Sequence, residues 1–318
     1  MCIRDRNNTI SIEGDGTYDD NSIYKGFIQN GSTDGVAQCN NVIIKNLNIV
    51  IINCKVYNDG GGGGICGAYF AREVSDGDIY IKNCSVTLDS SSTIEDWSGG
   101  IVGGYLGYNM TNTKIVIENC RYNGDLNSEY TGGICGYRAG LNMDVSSTIT
   151  INQCWSSNGN ITNYGGGIVA PYANTVGNSS QFTINYSYNQ SDNITNNSSG
   201  ISGIESRVTC NYCYSIGIVS EDSYPIALSD VSFNYVNNSY YTGSGSSYWS
   251  DSDAIDSGLD SGGFNWDKSS TPWIIYDLTY DIAVTMSEME TILTTAISSG
   301  YIDNTVDDYK SNYSYLAI

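Results

Sequence analysis

Short runs of alternating apolar and polar residues recur along the chain, and each run ends in a small or apolar residue. In residues 148–154, Ile149 and Ile151 alternate with the polar residues Thr150 and Asn152, and Cys154 closes the run. Alternation with a period of two is typical of a β-strand that buries one face. The pattern therefore predicts a chain built from strands.

The run occurs seven times when its last residue is taken as an anchor. The apolar pairs and their anchors are Ile49/Ile51 with Cys54, Ile79/Ile81 with Cys84, Ile115/Ile117 with Cys120, Ile149/Ile151 with Cys154, Phe182/Ile184 with Ser187, Val208/Cys210 with Cys213, and Val231/Phe233 with Val236. These anchors lie 30, 36, 34, 33, 26 and 23 residues apart. Repetition on this scale predicts a solenoid, a propeller or another array of repeats.

A second signature, a glycine pair before an aliphatic residue, recurs in step with the first. It occurs at Gly64-Ile65, Gly100-Ile101, Gly133-Ile134, Gly167-Ile168 and Gly200-Ile201, and degenerates to Pro225-Ile226. Each repeat is too short to bury its own apolar face, so it must stack on the next copy at about 4.8 Å per layer. The sequence therefore predicts an all-β parallel β-helix. Its core columns are predicted to be Ile51, Ile81, Ile117, Ile151 and Ile184; Cys54, Cys84, Cys120, Cys154 and Cys213; and Ile65, Ile101, Ile134, Ile168 and Ile201.

The residue before each anchor breaks the alternation, which indicates a bend of the chain at that point. These residues are Asn53, Asn83, Asn119, Gln153, Tyr186, Tyr212 and Tyr235. If the amides face inward they must form a hydrogen-bonded ladder, because an unpaired buried amide is costly. If they face outward they are solvated, and the sequence leaves both alternatives open.

Two segments resemble the GLUG repeat of extracellular and viral proteins. Residues 117–125 read Ile-Glu-Asn-Cys-Arg-Tyr-Asn-Gly-Asp, and residues 130–137 read Tyr-Thr-Gly-Gly-Ile-Cys-Gly-Tyr. The similarity covers residues 46–240 and is strongest at 79–170. It implies a right-handed β-helix on a surface-exposed or virion-associated protein, and it transfers no catalytic residues.

The ends of the chain differ from the repeats. Residues 1–6 resemble the translation of a sequencing-library adapter, so we expect them to be extraneous, with the natural N-terminus elsewhere. Residues 7–45 predict irregular N-terminal strands, and 46–240 form the repeats. The aromatic-rich segment 241–280 predicts a cap over the last layer. Segment 281–318 predicts a short α-helix at 287–298, which begins with a capping box, and a tail.

The composition narrows the range of partners and cofactors. The formal net charge of −21 disfavours nucleic acid and anionic membranes as partners. No apolar run is long enough to span a bilayer. Zinc is not expected, because the chain has no histidine and its one closely spaced cysteine pair, Cys210 and Cys213, lacks a second pair of matching spacing. For the ten cysteines, disulfides between coils remain an alternative. No cofactor is expected, and structural calcium at acidic turns is a weaker hypothesis.

Loops between the glycine pair and the next strand are predicted to project along one edge of the solenoid, where such proteins carry binding surfaces. Their aromatic residues are the candidate ligand-binding residues: Tyr69, Phe70, Tyr105, Tyr108, Tyr137 and Tyr172. The alternative is that they only cover corners. The preferred interpretation is a non-catalytic surface or structural solenoid, adhesin-like or virion-associated and extracellular, that presents these aromatics to a glycan or a protein.

The second hypothesis is a polysaccharide lyase or glycoside hydrolase of the β-helix type, which needs paired carboxylates in a groove. The candidate side chains are Asp76, Asp78, Glu95, Asp96 and Asp144, with Arg72 and Arg138. They share no common offset in the repeat, so the sequence favours the non-catalytic interpretation.

Overall fold

The computed structural model describes residues 2–6, 9–14, 23–57, 59–176, 181–227, 235–237, 239–242, 275–277 and 282–284. Within this part the protein is all-β, and parallel strands stack into a β-solenoid, which confirms the predicted parallel β-helix fold. The chain divides into two compact units, Met1–Gly258 and Leu259–Ile318. The predicted cap largely lies outside the described residues, and the predicted helix at 287–298 lies wholly outside them.

In chain order the strands are β1 (Cys2–Arg6), β2 (Thr9–Glu13), β3 (Ile23–Tyr24), β4 (Val42–Lys45), β5 (Asn48–Ile52), β6 (Lys55–Val56), β7 (Asp78–Lys82), β8 (Ser85–Leu88), β9 (Thr93–Ile94), β10 (Lys114–Glu118), β11 (Arg121–Asn123), β12 (Thr148–Asn152), β13 (Trp155–Ile161), β14 (Phe182–Asn185), β15 (Tyr188–Ile194), β16 (Thr209–Asn211), β17 (Tyr214–Val219), β18 (Tyr235–Asn237), β19 (Tyr240–Thr242), β20 (Ile275–Asp277) and β21 (Ile282–Val284).

Two long sheets form two walls of the solenoid. The first wall has the order β4-β7-β10-β12-β14-β16-β18, and the second wall has the order β1-β2-β5-β8-β11-β13-β15-β17-β19. Neighbouring strands are parallel except for β1, which pairs antiparallel with β2. A third, short parallel sheet has the order β3-β6-β9. In the second unit, β20 and β21 form an antiparallel pair.

Single-residue bridges form a third wall, which we call the glycine wall. Gly63 pairs with Gly99, Gly99 with Gly132, and Gly132 with Gly166, so the column runs through the first glycine of each pair. The isoleucine that follows the second glycine enters the core. Ile65, Ile101, Ile134, Ile168 and Ile201 are all 0 % exposed.

The first wall stacks its isoleucines in register. Ile81 pairs with Ile117, Ile117 with Ile151, and Ile151 with Ile184, and all four side chains are fully buried. Because each residue touches its equivalent in the layers before and after it, the apolar area of every repeat is removed from water by its neighbours.

Two predicted core residues belong to a different wall. Ile51 does not stack on Ile81: it pairs with Leu88 in the second wall, and Ile44 occupies the place above Ile81. Likewise Cys54 does not precede Cys84 in its column. Both residues are buried, so the error lies in the alignment of the first repeat and not in its burial.

The first repeat contains the strand pattern twice, at residues 42–47 and 49–54. The first copy lies on the first wall, where Ile44 pairs with Ile81, and the second copy lies on the second wall, where Ile51 pairs with Leu88. Stacked partners are separated by 37 residues between Asn46 and Asn83, then by 36, 34, 33 and 26 residues in later coils. At the far end Ser239 stacks on Cys213, and Val236 lies one column earlier, opposite Cys210.

The cysteine column lies at the bend between the first and second walls. The Sγ atoms of Cys120, Cys154 and Cys213 reach the carbonyls of Ile81, Ile117 and Ile184 at 3.5, 3.6 and 3.4 Å. Burial raises the pKa of the Cys120 thiol well above its usual value. Cys84, Cys120, Cys154 and Cys213 form no disulfide. The column therefore consists of small, buried thiols that pack as apolar groups.

The residue before the anchor adopts the left-handed conformation and forms an outward ladder. Asn46, Asn83 and Asn119 have φ values of 57°, 53° and 52°. The Asn83 side chain donates to Asn46 at 3.3 Å, and Asn119 donates to Asn83 at 2.9 Å. The amides thus combine the two alternatives, because they face solvent and also form the ladder. Asparagine tolerates this conformation better than most residues, which explains its recurrence at the bend.

Replacement of Ile151 by Asp tests the stacked column. The substitution removes an apolar contribution of about 1.5–3 kcal/mol and buries a carboxylate, so the free energy of unfolding should fall by about 4 kcal/mol or more. Thr150→Asp, on the outer face of the same strand, is the control and should cost less than about 1 kcal/mol. Urea unfolding followed by circular dichroism measures both. Equal losses for the two variants would contradict the assignment of the core face.

Thiol labelling tests the cysteine column. Among the described cysteines only Cys39 is exposed. A thiol reagent should therefore modify Cys39 quickly in the native protein, and the eight buried thiols only after unfolding, because the reagent cannot reach them in the folded chain. Peptide mass spectrometry after timed labelling with and without urea gives the measurement. Fast native labelling of Cys120 or Cys154 would show that the column is open.

Candidate functional site

Two columns of ring-bearing corners flank the glycine wall. Trp97, Tyr130 and Tyr164 occupy the corner just before it, where the Trp97 N–H donates to the Glu129 carbonyl and the Tyr130 N–H to the Asn163 carbonyl. The corner just after the wall carries Tyr69, Tyr105, Arg138 and Tyr172. Both columns follow the solenoid axis, because each corner hydrogen-bonds to the same corner of the next coil.

All of these corner residues have left-handed backbones, which is uncommon outside glycine. The φ values are 66°, 57° and 66° for Trp97, Tyr130 and Tyr164, and 58°, 59°, 56° and 61° for Tyr69, Tyr105, Arg138 and Tyr172. The main chain reverses direction within one residue at each corner. Successive side chains at the corner are therefore displayed in two lines, one on each side of the glycine wall.

The rings of the two columns and their neighbours form one connected surface, which we call the aromatic strip. Its members are Tyr69, Trp97, Tyr105, Tyr108, Tyr130, Tyr137, Tyr164 and Tyr172. Trp97 lies 6.0 Å from Tyr137, and Tyr137 lies 5.9 Å from Tyr105 and 5.5 Å from Tyr172. Tyr137 therefore joins the two columns, although its own place in the coil is one residue before the corner.

Ring orientation decides what the strip offers to a partner. Tyr69 and Tyr105 stack with centroids 4.6 Å apart and an interplanar angle of 8°, so each covers one face of the other. Tyr130 and Tyr164 also stack, at 5.3 Å and 25°. Each ring of such a pair therefore has one face covered by its partner. Trp97 is the most open of the rings, with 41 % of its surface exposed, and the tyrosines are half-buried.

Two arginines belong to the strip. The Arg72 guanidinium lies 5.7 Å from the Tyr69 ring centre and 5.5 Å from that of Tyr108. Arg138 lies 4.9 Å from Tyr137 and 6.0 Å from Tyr172. All four distances between a guanidinium and a ring centre fall in the range of cation–π attraction.

Carboxylates border the strip beside Trp97. Glu129 and Asp96 are exposed, and Asp96 accepts a hydrogen bond from the Glu129 N–H at 2.9 Å. Desolvation, together with a hydrogen bond to the Glu129 carboxylate and its charge, raises the pKa of Tyr130 to about 12. The Tyr130 hydroxyl therefore stays protonated at neutral pH and is a hydrogen-bond donor.

The predicted ligand-binding residues separate into two groups in the structure. Tyr69, Tyr105, Tyr108, Tyr137 and Tyr172 all lie in the strip. Phe70 does not, because it is 0 % exposed, and the equivalent residues Leu106, Ala139 and Ala173 are buried as well. The turn points the residue after each corner into the core. The segments predicted as projecting loops are compact turns in register with their neighbours.

Trp97, Tyr130 and Tyr164 escaped the sequence-based selection, although the sequence contains their signal. Each lies three residues before the second glycine of a pair, in Trp97-Ser-Gly-Gly100, Tyr130-Thr-Gly-Gly133 and Tyr164-Gly-Gly-Gly167. These corner residues precede the glycine pair, whereas the segments predicted to carry the binding residues follow it.

Two of the carboxylates named for an enzyme are bound by one asparagine. Asp76 and Asp144 both bind Asn112, which donates its side-chain amide to Asp76 at 2.7 Å and its backbone N–H to Asp144 at 3.1 Å. The Ser147 hydroxyl also donates to Asp144, and these bonds hold the pKa of that carboxyl below its usual value. Both carboxylates therefore accept hydrogen bonds that fix the turns of neighbouring coils.

The described part of the chain contains no cluster of three or more histidine, cysteine, aspartate or glutamate side chains arranged to hold a metal ion, so calcium binding stays a prediction. It also contains no helix of the length and apolarity needed to cross a bilayer. Comparison with protein-family models, curated proteins and solved structures finds no match to this chain.

Replacement of Gly100 by Ala tests how the glycine wall supports the strip. A Cβ at Gly100 would overlap the Tyr122 ring and the Gly133 carbonyl, so the wall would have to move outward. We expect a loss of about 2–3 kcal/mol. Gly35→Ala is the control, since its Cβ meets only the Ser32 hydroxyl, at 2.9 Å. Denaturant midpoints measure both, and an unchanged midpoint for Gly100→Ala would contradict the close approach of the walls.

Proposed function

We propose that this protein is a non-catalytic surface or structural solenoid and that the aromatic strip is its docking surface for a glycan or a protein. The observation that carries the proposal is the continuity of the strip, in which Tyr137 joins two columns of rings across successive coils. Contiguous aromatic surface on the outside of a protein is characteristic of interaction sites.

The geometry of the rings favours a partner with polar groups. Stacked tyrosines such as Tyr69 and Tyr105 each have one face covered, and a phenol hydroxyl can donate and accept hydrogen bonds, so part of the contact would be by hydrogen bonds. Trp97 supplies the most accessible flat ring, on which an apolar or planar group can lie. A rigid backbone holds both kinds of group in place, because every corner is hydrogen-bonded to the next coil. Such preorganisation lowers the entropic cost of binding.

A polysaccharide-cleaving activity receives less support. Asp76 and Asp144 both accept hydrogen bonds from Asn112, and Arg72 and Arg138 lie over tyrosine rings. A location at a cell surface, in the extracellular space or on a virion, and kinship with GLUG-repeat proteins, remain part of the proposal. They rest on the resemblance of residues 117–137 and on the acidic composition, which favours solubility.

Replacement of Trp97 by Ala tests the docking function. The variant should lose at least about tenfold in affinity for any glycan or protein that the wild type captures from a glycan array or a panel of cell-surface proteins, because the most exposed ring is removed. Tyr80→Ala, a half-buried ring on the first wall, is the matched control and should bind as the wild type does. Ligands that bind wild type and Trp97→Ala equally well would contradict the proposal.

A further inference from the structure

The tyrosine rings of the strip already bind two guanidinium groups, those of Arg72 and Arg138. Arg72 lies within 6 Å of the centres of two tyrosine rings. Arg138 is placed in the same way, 4.9 and 6.0 Å from the rings of Tyr137 and Tyr172. The same arrangement therefore occurs twice, in two different coils. Ring faces in a carboxylate-rich surface attract such cations both by their quadrupole and by the field around them.

Both of these cations have a carboxylate nearby. Arg72 Nε binds Glu73 at 3.0 Å, and its guanidinium also donates to the Ser32 carbonyl at 2.9 Å. Arg138 lies 6.0 Å from the Tyr172 ring, and Glu205 holds the equivalent corner in the next coil, where the Tyr172 N–H donates to the Ile204 carbonyl. Rings, a guanidinium and a carboxylate thus occur together at both places.

The corner at Trp97 also combines rings with carboxylates, and there the Trp97 ring and the Asp96 and Glu129 side chains are exposed. Trp97 lies 6.0 Å from Tyr137, which in turn lies 5.4 Å from Tyr130. Asp96 precedes Trp97, whose indole is exposed, in the chain. Glu129 is joined to Trp97 by the hydrogen bond from the Trp97 N–H to the Glu129 carbonyl. Asp96 keeps its second oxygen beyond the one that accepts the Glu129 N–H.

We propose that the Trp97 corner binds a lysine or arginine side chain from a basic segment of a partner protein. The inference rests on the proposed docking function and narrows it to one partner class. Charge complementarity supports it, because the chain has a net charge of −21 and the corner adds two exposed carboxylates to an exposed ring. A neutral glycan would stack on flat ring faces, and each stacked tyrosine has one of its two faces covered by its partner.

The experiment measures binding of a fluorescent peptide with alternating arginine and glycine residues, and of a glutamate counterpart, by anisotropy at low salt. The double variant Asp96→Asn with Glu129→Gln keeps hydrogen-bonding groups and removes two charges at the corner. The matched double variant Asp78→Asn with Glu118→Gln removes two charges on the first wall. We expect the corner variant to lose about tenfold in affinity for the arginine peptide and the wall variant less than about twofold.

Equal losses in the two double variants would overturn the inference, because they would show attraction by overall charge alone. Failure of the wild type to bind the arginine peptide, or equal binding of the glutamate peptide, would also overturn it. The proposed function fails separately. A neutral ligand that depends on Trp97 but not on Asp96 and Glu129 would keep the docking function and refute the basic partner, whereas ligands indifferent to Trp97→Ala would refute the docking function itself.

Discussion

In-register parallel pairing of successive coils is the constraint on which the whole molecule depends. Once Ile117 lies between Ile81 and Ile151, every other position of the coil must also meet its equivalent about 4.8 Å away. The stacked thiols, the amide ladder and the corner rings follow from that one condition. No repeat has a core of its own, so stability is shared between neighbouring coils.

The same pairing explains why the outer surface is ordered. The corners before and after the glycine wall have left-handed backbones that most side chains adopt with strain. Hydrogen bonds such as that from Trp97 to Glu129 hold these corners in place and repeat in the adjacent coils. The rings of the aromatic strip are consequently positioned by the main chain, and their mutual stacking adds to that order.

Much of the architecture could be predicted because apolar alternation and the glycine pair directly report burial, as at Ile151 and Gly133. The errors arose where local pattern is degenerate. Ile44 and Ile51 both satisfy the strand pattern, and only the pairing between coils decides which of them stacks on Ile81. Phe70 and Tyr69 are adjacent aromatics, and only the backbone turn determines which one is buried. Ring orientation in the strip depends on contacts between coils, which no single repeat encodes.

Coil length falls from 37 to 26 residues along the chain, and aromatic stacking changes corner as it does. Beyond Tyr172 the strip position is held by Glu205, while Tyr186 and Tyr212 stack at the bend between the first two walls, 4.9 Å apart. The solenoid therefore has a distinguishable head and tail. A linear partner lying along the proposed docking surface would meet different chemistry when its direction is reversed, so the coil sequence would distinguish the two directions of binding.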